Sequence, residues 1–209
     1  MQGIPLNERK RLGALLDDRP QTEVMAMIPQ FSQAETDNFV APPAQIPEAL
    51  GVLMFNMERG VNLPEIQEFL RDCPDIQPFD VILANELDDG CARSGNKNTA
   101  RELAQAFGLN YAWGLEFIEL VNDENAKGFH GNAVFSRWPI RRAGVIRLPE
   151  QYNWYFDRQK RIGGRLAVFA ELDVGGQPVG AVSIHLENRT HGEGRKAQML
   201  SLIHISEPT

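Results

Sequence analysis

At 209 residues, 43% apolar and 23% charged, the chain is long enough for one domain with a full core, and its composition excludes collagen-like and disordered classes. A formal net charge of -7 argues against tight, sequence-independent binding of duplex nucleic acid, which needs Lys and Arg over many phosphates. A small anionic substrate remains compatible, because an acidic protein can hold phosphate through a metal ion.

Cys73 and Cys91 lack metal-site spacing and read as two reduced thiols. The N-terminal stretch Met1 to Asp18 is charged every few residues, and no apolar run reaches the roughly 20 residues of a membrane span, so a cytoplasmic location is expected. Leu12, Leu15 and Leu16 lie at helical spacing behind a possible Asn7 cap, and an irregular stretch with Pro42-Pro43 follows. Residues 1–48 are read as an appendage to a domain over 49–200.

The first strand is expected from Leu50 to Met57, with Asn56 near its end, followed by a helix opened by Pro64 and running to about Cys73. A second strand, Asp80-Val-Ile-Leu-Ala, is expected to stop at Asn85-Glu86. Asn98 caps a helix with Ala100, Leu103, Ala104 and Phe107 on one face, and Gly108 closes it. A strand over 110–120 precedes a polar loop and then a short buried strand, Ala133-Val134-Phe135, bounded by Gly131 and Pro139. Farther on come a strand over 143–148, an aromatic loop over 151–161, and two strands over 164–174 and 177–187 joined at Gly175-Gly176, a hairpin signal. A helix begins at Gly192. Early strands separated by helices and later strands joined by a hairpin indicate mixed sheets covered by helices.

Asn56, Glu86 and His185 are polar residues at the ends of apolar strands. A carboxylate there needs a cation, a donor or water, and loops leaving one end of a sheet are where sites form. In strand alternation Glu116 shares a face with Ala112 and Gly114, opposite Tyr111 and Trp113, and is the first candidate partner for a histidine, with Glu119 in reserve. Arg165, at the start of a strand, fits a phosphate contact or a structural ion pair.

In this order the motifs resemble the endonuclease/exonuclease/phosphatase superfamily. They are the strand ending at Asn56, the run to Glu86, Gly-Asn-Ala-Val-Phe-Ser-Arg-Trp-Pro-Ile at 131–140, His185-Leu186, and Arg195 with Gln198. The resemblance spans about Val52 to Gln198 and implies an α+β fold, a four-layer α/β/β/α sandwich like that of deoxyribonuclease I. It further implies a phosphodiesterase or phosphatase acting on a small-molecule, lipid or nucleic-acid phosphoester, with Mg²⁺, or alternatively Mn²⁺, held by Glu86 and Asn56. His185 would contact the scissile phosphate, Glu116 would orient it, and Arg165 and Asn188 would contact substrate. The alternatives are a repair-type endonuclease or exonuclease and a non-catalytic interaction module. No protein partner is expected.

Asn85 stands where the family often has glutamine. The family's later Asp-x-Asn strand, a further aspartate and a terminal Asp-His pair have no counterpart before Thr209. The segment 201–209 resembles a translated sequencing adapter, so a genuine sequence ending near Leu200, a partial domain and a non-native tail are expected. Such a chain is expected to be poorly soluble and to lack turnover.

Overall fold

The structure, a computed structural model, describes residues 1–203. A six-stranded sheet is built from β1 (Ala34–Asp37), β2 (Val52–Arg59), β3 (Val81–Asp89), β4 (Asn110–Glu119), β5 (Phe129–Ser136) and β7 (Arg161–Gly163). Its order is β1-β4-β5-β3-β2, with β7 paired to β4. A three-stranded sheet holds β6 (Ile140–Arg147), β8 (Leu166–Val174) and β9 (Gln177–Ile184), in the order β6-β8-β9.

The local signals explain most of these elements. Asn98 caps α4 (Thr99–Phe107) by accepting from the Arg101 N–H at 2.9 Å, and Gly108 ends the helix. Pro64 lies in the first turn of α3 (Leu63–Asp72), where its missing N–H costs nothing. The Gly175-Gly176 turn joins β8 and β9 in unbroken register from Val174↔Gln177 to Ala167↔Ile184.

Residues 1–48, read as an appendage, pack into the same core. The helices α1 (Leu6–Ala14) and α2 (Gln21–Ala26) bury Leu12 and Val24, and β1 extends the large sheet antiparallel to β4. Together with α3 and α4 they cover one face of that sheet, over Tyr111, Trp113, Leu115 and Phe135. The opposite face, with Ala112 and Val134, meets Leu166, Val168, Ala170 and Leu172 of β8 in a second core between the sheets. The last helix, α5 (Gly192–Ile203), follows β9, and its Gln198 is buried, bonding the Glu187 N–H at 2.9 Å and the Pro149 carbonyl at 3.1 Å. No helix among the described residues is long and apolar enough to cross a membrane, and both cysteines are free. The expected tail lies outside the described residues from 204 onward.

Candidate active site

Three irregularities in the large sheet, two of them in the pairings of β5 and one between β2 and β3, position the site. Between β3 and β5 the register passes from Ala84↔Ala133 to Leu87↔Gly131, which inserts an extra residue in β3. Between β4 and β5 it passes from Leu115↔Gly131 to Phe117↔His130, which inserts one in β4 at Glu116. Between β2 and β3 it passes from Asn56↔Asn85 to Arg59↔Leu87. Bulges redirect side chains, and here two of them aim carboxylates, Glu86 and Glu116, toward the same end of the sandwich. β3 therefore continues through Glu86 to Asp89, where alternation alone suggested a stop.

Glu86 occupies the left-handed region at φ 60°, a conformation that costs a non-glycine residue roughly 1–2 kcal/mol. Its N–H donates to Asn132 Oδ1 at 3.2 Å, so the Gly-Asn-Ala strand holds the bulge from the neighbouring position. Gly131 is fixed by close approach: a Cβ there would lie 2.0 Å from the Gly114 carbonyl oxygen and 2.7 Å from the Trp113 ring.

His185 follows β9 and brings the small sheet to this point. Its Nε2 is 3.9 Å from Glu86 Oε1, and its Nδ1 is 3.8 Å from Glu116 Oε2. Arg165 Nη1 approaches His185 Nδ1 at 2.9 Å and Glu116 Oε1 at 3.1 Å. A guanidinium can only donate, so in that bond Nδ1 accepts, and the neutral imidazole carries its proton on Nε2, toward Glu86. Glu116 thus reaches His185 through Arg165. Burial alone would raise the Glu116 carboxyl, but Arg165, His185 and His130 outweigh it and hold the group at about 2. Glu119, the reserve candidate, instead pairs with Arg93 at 3.0 Å and Arg161 at 2.9 Å.

Asn56 is exposed one strand away, opposite Asn85, with Oδ1 accepting from the Glu58 N–H at 2.9 Å. Asn188 Oδ1 lies 3.5 Å from Arg165 Nη2. Arg165 itself is buried between Glu116 and Glu187, the latter at 3.2 Å, so it forms an ion pair and also lines the site.

Pattern reading missed His130. Its Nδ1 is 2.8 Å from Asp88 Oδ1, its Nε2 is 3.9 Å from Glu116 Oε2, and its ring stacks on Phe117. Asp88 is also bidentate to Arg93, at 2.7 and 2.8 Å. One histidine in an apolar strand, with its acid 42 residues away, leaves no local signal.

Of these groups, Glu86, His130, Arg161, Arg165 and Asn188 border a cavity of about 350 Å³. Glu86, His130 and Asp157 line it beside Arg59, Arg158, Arg161, Arg165 and Arg189, so the cavity is locally cationic in an acidic protein. Trp154 forms part of the wall, its indole N–H donating to Glu187 at 2.8 Å and three guanidinium groups lying 5.1–5.7 Å from its ring. Arg59 and Arg158 make no ion pair among the described residues. Of the two expected metal donors, Glu86 offers a carboxylate that pairs with no Lys or Arg among the described residues and suits a hard cation, whereas Asn56 does not line the cavity and its Oδ1 accepts from the Glu58 N–H. Among the described residues no three His, Cys, Asp or Glu side chains cluster as a ligand cage. One carboxylate with retained waters is the mode Mg²⁺ favours.

No protein-family model and no curated protein sequence matches the chain. Several solved structures resemble it, among them these two. An endonuclease/exonuclease/phosphatase family protein from Leptotrichia buccalis C-1013-b aligns at a TM-score of 0.50 and 17% identity, over 77% of this chain and 64% of its own length. A 3′ phosphatase from Neisseria, solved with a product DNA hairpin, aligns at 0.42 and 19%, over 75% and 51%. This chain therefore spans less than two thirds of the first protein and about half of the second. With a mixed six-stranded sheet face to face with an antiparallel three-stranded one, helices over the larger and polar residues gathered at one end, the chain has a deoxyribonuclease I-like fold, shared with the endonuclease/exonuclease/phosphatase family protein from Leptotrichia.

Proposed function

We propose that the chain is part of a metal-dependent phosphoester hydrolase. The observation that carries this reading is the pairing of Glu86 with His185, 3.9 Å apart on different sheets, at the edge of an arginine-walled cavity. Mg²⁺, or Mn²⁺ in its place, would be held by Glu86 and Asn56, and when bound it neutralises phosphate charge and activates water.

The chain's own residues bind and orient. Arg59 and Arg158, free of ion pairs among the described residues, attract the phosphate, while Arg161 and Arg165 are locked by carboxylates and line the wall. Arg165 keeps the His185 proton on Nε2, where it donates to a phosphate oxygen seated beside Glu86. Donors fixed before the substrate arrives need no reorganisation when charge develops. A cavity of about 350 Å³ in a protein of charge -7 favours a small or lipid phosphoester over a long duplex.

Calorimetry of the 209-residue chain with dimethyl phosphate, with and without Mg²⁺, tests the site. Binding should require Mg²⁺ and weaken at least tenfold in Glu86→Ala. In a protein carrying this chain that turns over bis(p-nitrophenyl) phosphate, His185→Ala should lower that turnover at least a hundredfold, with short duplex DNA the poorer substrate. Binding indifferent to Mg²⁺ and to Glu86 would overturn the metal site, and full turnover by His185→Ala would overturn the role of the histidine.

A further inference from the structure

On the other side of Arg165 lies a second, larger cavity of about 550 Å³, between α2 and the segment where β6 ends. Its walls are largely apolar, with Met25, Ala26, Ile28, Phe31, Leu148 and Pro149. Its volume lies within the roughly 300–1,000 Å³ of small-molecule sites.

Two polar side chains on its floor are incompletely used. Arg147 makes no ion pair among the described residues and lies 4.8 Å over the Phe31 ring. A guanidinium carries five N–H hydrogens. In Arg147, Nε and Nη2 donate to the Phe31 carbonyl at 2.9 and 2.6 Å, Nη2 also donates to the Leu115 carbonyl, and Nη1 donates to the Gly164 carbonyl at 3.0 Å. One Nη1 hydrogen is left. Burial pushes the guanidinium down to about 9, opposed by Glu116, so Arg147 remains charged at neutral pH.

Gln21 is the second. It is 2% exposed, and its Oε1 accepts from the Gly163 N–H at 3.3 Å, which fixes the amide orientation. Nε2 then makes no hydrogen bond among the described residues, opens onto the cleft and lies beside Gly164, 3.8 Å from where a Cβ would be. A half-buried guanidinium with one N–H hydrogen to spare and an amide donor without an acceptor therefore flank one residue that has no side chain, under an apolar roof. An anion in the gap would accept from both.

We propose that this cleft binds a long-chain fatty acid, its carboxylate on Gly164 between Arg147 Nη1 and Gln21 Nε2 and its chain along Met25, Ile28, Phe31 and Leu148. A monoanion matches the single free guanidinium hydrogen. A phosphate dianion would need more donors than the floor offers and would face Glu150, which also lines the cleft. The site gives residues 1–48 a part to play, since α2 supplies one wall.

The test is calorimetric titration of the 209-residue chain with submicellar octanoate, decanoate and laurate, alongside dodecanol and dodecyl phosphate. Affinity should rise roughly three- to fourfold per buried methylene, and laurate should bind at least tenfold tighter than either control. Two variants keep the test independent of Arg147, whose bonds to three carbonyls also support the fold. Ala26→Trp, at an exposed helix position, should block the cleft, and Gly164→Ala, whose methyl meets nothing closer than 3.8 Å, should occupy the seat of the head group. Each should weaken laurate at least tenfold without lowering the melting temperature. No laurate binding, equal binding of dodecanol, tighter binding of dodecyl phosphate, or laurate binding unchanged in both variants would each overturn the proposal.

Discussion

Glu116 is fully buried and ionised, so together with Asp88, which Arg93 and His130 also hold at about 2 against the cost of burial, it links stability to acid pH. The folded Glu116 value of about 2 lies below the ordinary glutamate value of about 4.5, so its contribution is complete above about pH 4.5 and is lost as pH falls toward 2. The contribution is about 3 kcal/mol. Urea unfolding at stepped pH should show stability falling over that window, and Glu116→Gln should flatten the fall; an equally steep fall in the variant would assign it to other carboxylates. Glu86 behaves in the opposite sense, because its φ of 60° suits glycine better than glutamate. Glycine in an ordinary strand position costs roughly 1 kcal/mol. Glu86→Gly should instead leave stability unchanged or raise it by up to about 1 kcal/mol while removing the Mg²⁺ response, and a loss of 1 kcal/mol or more would show that the bulge is not strained.

At the level of elements, the site depends on how β5 is flanked. Gly131→Ala would drive a methyl into the Gly114 carbonyl oxygen, a backbone atom that cannot rotate away. A loss of about 3 kcal/mol or more is expected in urea unfolding, and a loss below 1 kcal/mol would mean that β4 and β5 can separate without cost. What the sequence reveals here follows from how far each signal extends along the chain. The helix α4 is legible because its cap, apolar face and terminating glycine lie within 11 residues, 98–108, and the β8–β9 turn because two glycines mark it. The strand β1 is not, since Ala-Glu-Thr-Asp has no apolar run and becomes a strand only by pairing with β4. The bulges at Glu86 and Glu116 are register shifts between strands far apart in sequence, so alternation placed Glu116 on the correct face but could not show that Arg165 stands between it and His185. His130 escaped notice for the same reason.

For the whole molecule, both sheets end in edge strands. β2 and β9 are edge strands, and Val52 and Met54 on β2 are 58% and 74% exposed. Unpaired strands beside exposed apolar side chains favour association. Light scattering should rise with concentration, and Met54→Lys should lower it several-fold at a given concentration; no change would place the contact elsewhere. Arg165 lines both the cationic cavity and the apolar cleft, so the partition between them is at that point one side chain thick. Its carboxylate and imidazole partners hold it in place, and Gly164, immediately before it, forms the floor of the cleft. Thermodynamically the two cavities then form one system. Whatever shifts the guanidinium from one side changes the free energy of occupancy on the other, and the effect must be equal in both directions.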